Sequence, residues 1–215
     1  MEIRAKYAEE QFAAAYGILP AHAVAFRRRL EHLRSRGCPA GLQTGTGRPA
    51  TYGWTQLVQL TVALDLLDVG LTPERAARLA LSGPLDLHLC ANALVLKPDW
   101  IDDEAEWWWP EKALEWIDAD TWPLDYTLFL LSRLGEISSL AGERSSISDG
   151  FHAVEGAKLA LWNAERLPTD TIVIALDFGL AISTLIKRIS IWKEMPTIEV
   201  AASFYDWSQN YVIHS

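Results

Sequence analysis

Five arginines crowd one short stretch of this 215-residue chain: Arg27, Arg28, Arg29, Arg34 and Arg36. A guanidinium is a planar, permanently charged fork of donors, suited to phosphate oxygens and to the guanine edge. Spacing decides whether the five act together. At about 100° per residue on a helix, Phe26, Leu30 and Leu33 form an apolar stripe, and the opposite face carries Ala21, Val24, Ala25, Arg28, His32 and Ser35. Arg28 is central on that face, Arg27 and Arg34 fall on one flank, and Arg29 and Arg36 fall on the other. A helix entering a major groove wants this arrangement, with cations for the phosphates of both walls, small residues near its start and a central group for base edges. A solvated surface helix rich in arginine has the same pattern.

Catalytic constellations are poor. His88 and Cys90 would share one face of a strand, but no third or fourth ligand is in view, so they read as core neighbours rather than a metal site. Cys38 and Cys90 match no CxxC spacing and suggest neither a disulfide framework nor a zinc ribbon. Carboxylate pairs such as Asp102 and Asp103 are too abundant to be singled out as acid and base. There is no Walker loop, GxGxxG, GxSxG or HExxH. The expectation is a non-enzyme, with no catalytic residue, metal or cofactor.

The arginines need elements to hold them. From Glu2 to Tyr16, Ala8, Phe12, Ala15 and Tyr16 recur at helical spacing, and Gly17 supplies a left-handed stop. Pro20 can then open a second helix over about residues 21–36, ending near Gly37, so that a helix-turn-helix is expected with Ala21, His22, Val24 and Ala25 at the start of its second member. Residues 38–53 hold several glycines and prolines, with Leu42-Gln43-Thr44 and Ala50-Thr51-Tyr52 as the strands of a small hairpin, or wing. Arg48 lies just past its tip, placed to meet a phosphate or the minor groove. A third helix begins near Thr55, with Leu57, Leu60, Leu64, Leu67 and Leu71 along one stripe. A short fourth helix follows, with Thr72 as N-cap, Pro73 at its first position, Glu74 in its first turn and Leu79 on its apolar face.

Over about residues 5–82 this order of elements resembles the MerR-like winged helix-turn-helix family. The resemblance rests on GRPATYGWTQLVQL, a basic residue, a Tyr and a polar cap before an apolar helix, and on LDLLDVGLTPERAARL, a Leu-rich helix followed by a short one. It implies a dimeric DNA-binding regulator whose second helix enters a major groove and whose wing contacts the flanking backbone. Arg27, Arg28, Arg29, Arg48 and Tyr52 occupy regions where such proteins place DNA contacts. The chain departs from the family in the three arginines after Phe26, and in Ser82-Gly83-Pro84, which stops the fourth helix where a heptad-patterned dimerisation helix would start.

Charge divides the chain. Residues 1–83 carry ten basic and seven acidic side chains, whereas residues 84–215 carry nine and 21, and the whole is −9. Such asymmetry suggests two units: a winged helix-turn-helix domain at 1–83 and an acidic, Trp-rich α+β domain at 84–215, in a fold that is α+β and mainly α. Between Asp99 and Asp125 ten acids face Lys112 alone, beside six tryptophans. Three readings fit that segment: an exposed acidic rim around core aromatics, a pocket for a cationic small molecule, or a protein-binding surface that includes mimicry of a phosphate backbone. The last gives the rival to DNA reading, an adaptor acting through its acidic half.

Leu85 to Leu96 suits a strand or hairpin, Asp125 to Leu134 suits helix or strand equally, and Phe151 to Leu167 has helical spacing. A strand over Thr171 to Leu176 and an apolar helix over Phe178 to Trp192 could form either a homodimer interface or the domain's own core. The start Met-Glu-Ile-Arg resembles no secretory signal, and the apolar run Thr171 to Ile186 is broken by Asp177 and short for a bilayer. The expected setting is cytoplasmic, on the nucleoid, with double-stranded DNA as partner and no membrane.

Overall fold

The computed structural model describes residues 1–42, 50–81, 114, 128–133, 152–155 and 173–210. They are mainly helical with small antiparallel sheets, an α+β arrangement as expected. Ile3–Arg4 (β1) precedes the first helix, Ala5–Ala15 (α1). The helical spacing read from Glu2 therefore starts three residues late. Backbone pairing is the reason: β1 runs antiparallel to Thr51–Tyr52 (β2), with Ile3 opposite Tyr52, and Ala5 N donates to Ala50 O at 2.8 Å. Ile3 and Tyr52 turn inward from this pair, while Arg4 and Thr51 face solvent.

A 3₁₀ turn, Pro20–His22, leads into Ala23–Ser35 (α2). Trp54–Asp68 (α3) and Pro73–Leu81 (α4) follow β2. Thr72 caps α4 as the sequence suggests, its hydroxyl accepting from Arg75 N at 3.4 Å. The leucine stripe expected on α3 understates its burial. Trp54, Leu57, Val58, Leu60, Val62, Ala63, Leu64 and Leu66 are all buried, because other elements enclose the helix on nearly every side. Inside, Thr61 Oγ1 donates to Leu57 O at 2.9 Å and Gln59 Oε1 accepts from Ala40 N at 2.8 Å, while Gln59 Nε2 is buried with no hydrogen-bond partner among the described residues.

Beyond residue 84 the described elements are Leu128–Arg133 (β3), His152–Glu155 (β4), Val173–Asp177 (β5), Phe178–Lys193 (α5) and Thr197–Gln209 (α6). β3 is the middle strand of an antiparallel sheet in the order β4-β3-β5, which settles the helix-or-strand ambiguity at Asp125 to Leu134. His152–Glu155 corrects the helix expected from Phe151. That segment carries only Val154 of the apolar spacing, and its ladder to β3 decides its conformation. The hairpin expected at Leu85 to Leu96 lies outside the described residues. Asp177 ends β5 and caps α5, accepting from Leu180 N at 2.8 Å.

The boundary expected between 83 and 84 does not divide the described core. α5 and α6 pack into the same apolar cluster as α1 and α3, with Ile182, Ile186, Val200 and Phe204 joining Phe12, Trp54 and Leu57. Trp54 meets Phe204 edge-on at 5.1 Å, Trp54 Nε1 donates to Ser203 Oγ at 2.8 Å, and Trp207 Nε1 donates to Thr55 Oγ1 at 3.1 Å. The apolar face of α5, Ile182, Leu185, Ile186 and Ile189, is thus taken up by the chain's own core. Among the described residues no helix is long and apolar enough to cross a membrane.

One carboxylate enters this interior. Tyr16 donates its hydroxyl to Asp65 Oδ1 at 2.5 Å, and burial pushes Asp65 up to about 6, against the opposing effect of the Tyr16 hydrogen bond and with help from Asp68. Burial and the neighbouring Asp65 likewise hold Tyr16 protonated at all physiological pH.

Two outcomes follow. Phe204→Ala should cost about 3–5 kcal/mol and lower the urea midpoint of the whole transition, read from tryptophan emission. A separately folding N-terminal unit would keep its own transition unmoved. Because the Asp65 value is raised, its ionised form opposes folding, so its penalty is absent below about pH 4, builds between about pH 4 and 6, and is constant above. Asp65→Asn should therefore stabilise the chain by up to about 3 kcal/mol near neutral pH and by little near pH 4, checked by melts across that range.

Candidate nucleic-acid interface

The segment joining α1 to α2 is fixed by backbone bonds. Gly17 sits at φ +61° after α1, with Ile18 N donating to Ala13 O at 2.8 Å and Gly17 N to Ala14 O at 3.2 Å. Gly37 at φ +82° closes α2 in the same way, through Cys38 N to Leu33 O at 3.0 Å. A side chain at either glycine would be strained in this left-handed region. The two stops set where α2 begins and ends relative to the body.

On α2 the buried residues are Phe26, Leu30 and Leu33. Ala21, His22, Val24, Ala25, Arg27, Arg28, Arg29, His32, Ser35 and Arg36 are exposed, Val24 by 62%. The face expected to be outward is outward. Arg27, Arg28 and Arg29 make no ion pair among the described residues. Arg36 Nη2 lies 3.7 Å from Glu74 Oε2, with both side chains largely in solvent, where such a pair holds weakly.

Arg34 and Tyr52 are corrections. Both were expected at a DNA surface, yet Tyr52 is 0% exposed and Arg34 turns inward from the flank of α2. Arg34 pairs with Glu9 on α1 through Nη2, and its Nε donates to the Tyr52 hydroxyl at 3.2 Å. One guanidinium thus ties α1, α2 and β2 together. The helical wheel could not separate it from Arg27, because the acceptors lie on elements remote in sequence. Arg48 and the rest of residues 43–49 lie outside the described residues. Both flanks of that segment are anchored by Gln56, whose Nε2 donates to Ala40 O at 3.0 Å and whose Oε1 accepts from Gly53 N at 2.9 Å. Among the described residues β2 pairs with β1, where the sequence had suggested Leu42 to Thr44 as its partner.

Two arginines outside the expected set, Arg75 and Arg78, three apart on α4, share a groove with Arg36, Thr72 and Glu74. Their spacing on one helical face was the available signal. Arg4 and Lys6 are exposed at the β1 end of the same unit.

Other chemistry is sparse. Burial pushes the Cys38 thiol up to about 12, so it is a poor nucleophile and a poor metal ligand. Among the described residues no group of three His, Cys, Asp or Glu is arranged to hold a metal ion. His88, Cys90 and nearly all of Asp99 to Asp125 lie outside the described residues.

Arg34→Ala should lower stability by about 1–3 kcal/mol, because it leaves a half-buried carboxylate and a buried phenol without their partner. Urea melts of that variant beside Arg27→Ala check this, and the exposed Arg27 should cost little. Comparison of the chain with protein-family models, with curated proteins and with solved structures finds no match.

Proposed function

We propose that the chain is a sequence-specific double-stranded DNA-binding regulator that reads a major groove with α2. The observation that carries the proposal is the exposed outer face of that helix, where Arg27, Arg28 and Arg29 stand without ion-pair partners among the described residues. Three adjacent cations without partners favour an anionic ligand, and a helix about 10–12 Å wide with its side chains fits a groove about 12 Å wide. Small Ala21 and Ala25 allow close approach at the leading end. Arg28 reaches base edges from the centre, Arg27 takes phosphates on one wall, and Arg29 with Arg36 takes them on the other.

A phosphate contact by Arg48, expected from the sequence, belongs to the same proposal, and Arg75 and Arg78 add positive charge through the groove they share with Arg36. Arg34 is not part of the clamp. The resemblance to MerR-like regulators points the same way and adds the expectation of a homodimer, which would read two half-sites about 34–36 Å apart. The net charge of −9 is compatible with this, because residues 1–83 alone are positive, and the acidic remainder would be repelled from the duplex and orient the reader toward it. A cytoplasmic, nucleoid-associated setting belongs to the same proposal.

Selection of bound fragments from genomic DNA should return a shared motif. Arg28→Ala should cost about 1–3 kcal/mol on that motif and relax preference at one position, while Arg29→Ala should weaken all duplexes alike and lower the salt slope by about one. Affinities measured by anisotropy over a range of salt separate the two effects. An affinity that hardly responds to salt would overturn the proposal.

A further inference from the structure

A cavity of about 350 Å³ opens where α1, α3 and α5 meet. Its size falls at the lower end of small-molecule sites. Phe12, Leu57, Leu176 and Leu185 make its walls apolar. Its charged lining is unequal: Asp65 and Asp68 from α3 and Asp177 from the start of α5, against Arg188 alone. Among the described residues none of the three carboxylates lies within ion-pair distance of a cation, Arg188 included.

Asp68 is exposed and Asp177 caps α5, whereas Asp65 is half-buried against this apolar wall without a counter-charge, and a carboxylate so placed opposes folding. An occupant that supplies the missing positive charge would remove that cost, and its attraction would be strengthened by the low local dielectric. We propose that this cavity binds a small molecule with an apolar body and a single amine, the ammonium lying against Asp65 and its carboxylate neighbours. The elevated Asp65 value is in keeping with a group kept for binding rather than for stability.

The position of the cavity gives binding a route to the reader, and this part rests on the proposed function. Tyr16 lines the cavity, donates to Asp65 and directly precedes Gly17, the stop from which the chain turns toward α2. An ammonium at Asp65 competes for the acceptor that holds Tyr16. Amine binding and the placement of α2 are thereby coupled.

The test titrates the full chain, without DNA, with three probes of one shape: naphthylethylamine, naphthylethanol and naphthylpropionate. Calorimetry should give one amine per chain, bound at least roughly tenfold more tightly than the alcohol, with the carboxylate weakest. Asp65→Asn should remove most of that preference. Ala181→Phe, which fills the cavity from α5, should abolish binding in a chain that still melts cooperatively. Acidification below about pH 6 should weaken the amine, because Asp65 then takes up a proton. Asp68, Asp177, Tyr16 and Arg188 face the same space; Asp177 is also raised by burial, which acts in the same direction, while Tyr16 stays protonated.

Equal binding of amine and alcohol, tightest binding of the carboxylate, unchanged binding to Ala181→Phe, or binding of none of the three would overturn the site. For the coupling, amine at saturation should shift duplex affinity several-fold, and an unchanged affinity overturns it. A chain that binds no duplex at all fails the proposed function instead, and the titration without DNA still decides the site.

Discussion

The structure depends on the burial of α3. A helix enclosed on nearly every side cannot be stable by itself and must gather partners for each face. Its start is covered by α6, where Phe204 and Ser203 meet the Trp54 ring and its nitrogen. α4 and α5 also pack against it, and β2 feeds into it directly. The only amides it carries toward the segment after α2, Gln56 and Gln59, hold Ala40 in place. An apolar helix of this kind makes the described N-terminal and C-terminal helices one packed body.

Within that body the outward face of α2 is held mainly by residues other than its exposed ones, the weak Arg36–Glu74 pair aside. Leu30 and Leu33 anchor it to the core, Arg34 ties it to Glu9 and Tyr52, and the glycines at either end set its limits. Apart from Arg36, the groups proposed to meet a ligand are thus separated from those that keep the helix in position. Such a division favours recognition, because a preorganised helix loses little conformational freedom on binding.

Much of the N-terminal half was legible because its signals are local. Glycine stops, the Thr72 cap and the stripe of Phe26, Leu30 and Leu33 each depend on residues a few positions apart. Where partners were remote, the reading failed. Arg34 and Tyr52 look like surface groups until α1 and β2 are brought together, Ile3 and Arg4 look helical until Tyr52 is found opposite, and among the described residues helices from both sides of the charge partition share one apolar cluster. α6 went unread, although Val200, Ala201, Phe204 and Ser208 follow a helical spacing after Pro196. The cavity beside Asp65 had no sequence signature, because its walls come from α1, α3 and α5.

The packing of α6 onto Trp54 also orders events during synthesis. An N-terminal segment that finished its own core would be sheltered as soon as Leu81 left the ribosome. Here the face of α3 that meets Phe204 stays uncovered until the far end of the chain is made, several seconds later or more at roughly 5–20 residues per second. Contacts across so long a sequence separation also form slowly. The contact of α3 with Phe204 therefore forms only after most of the described chain has been made.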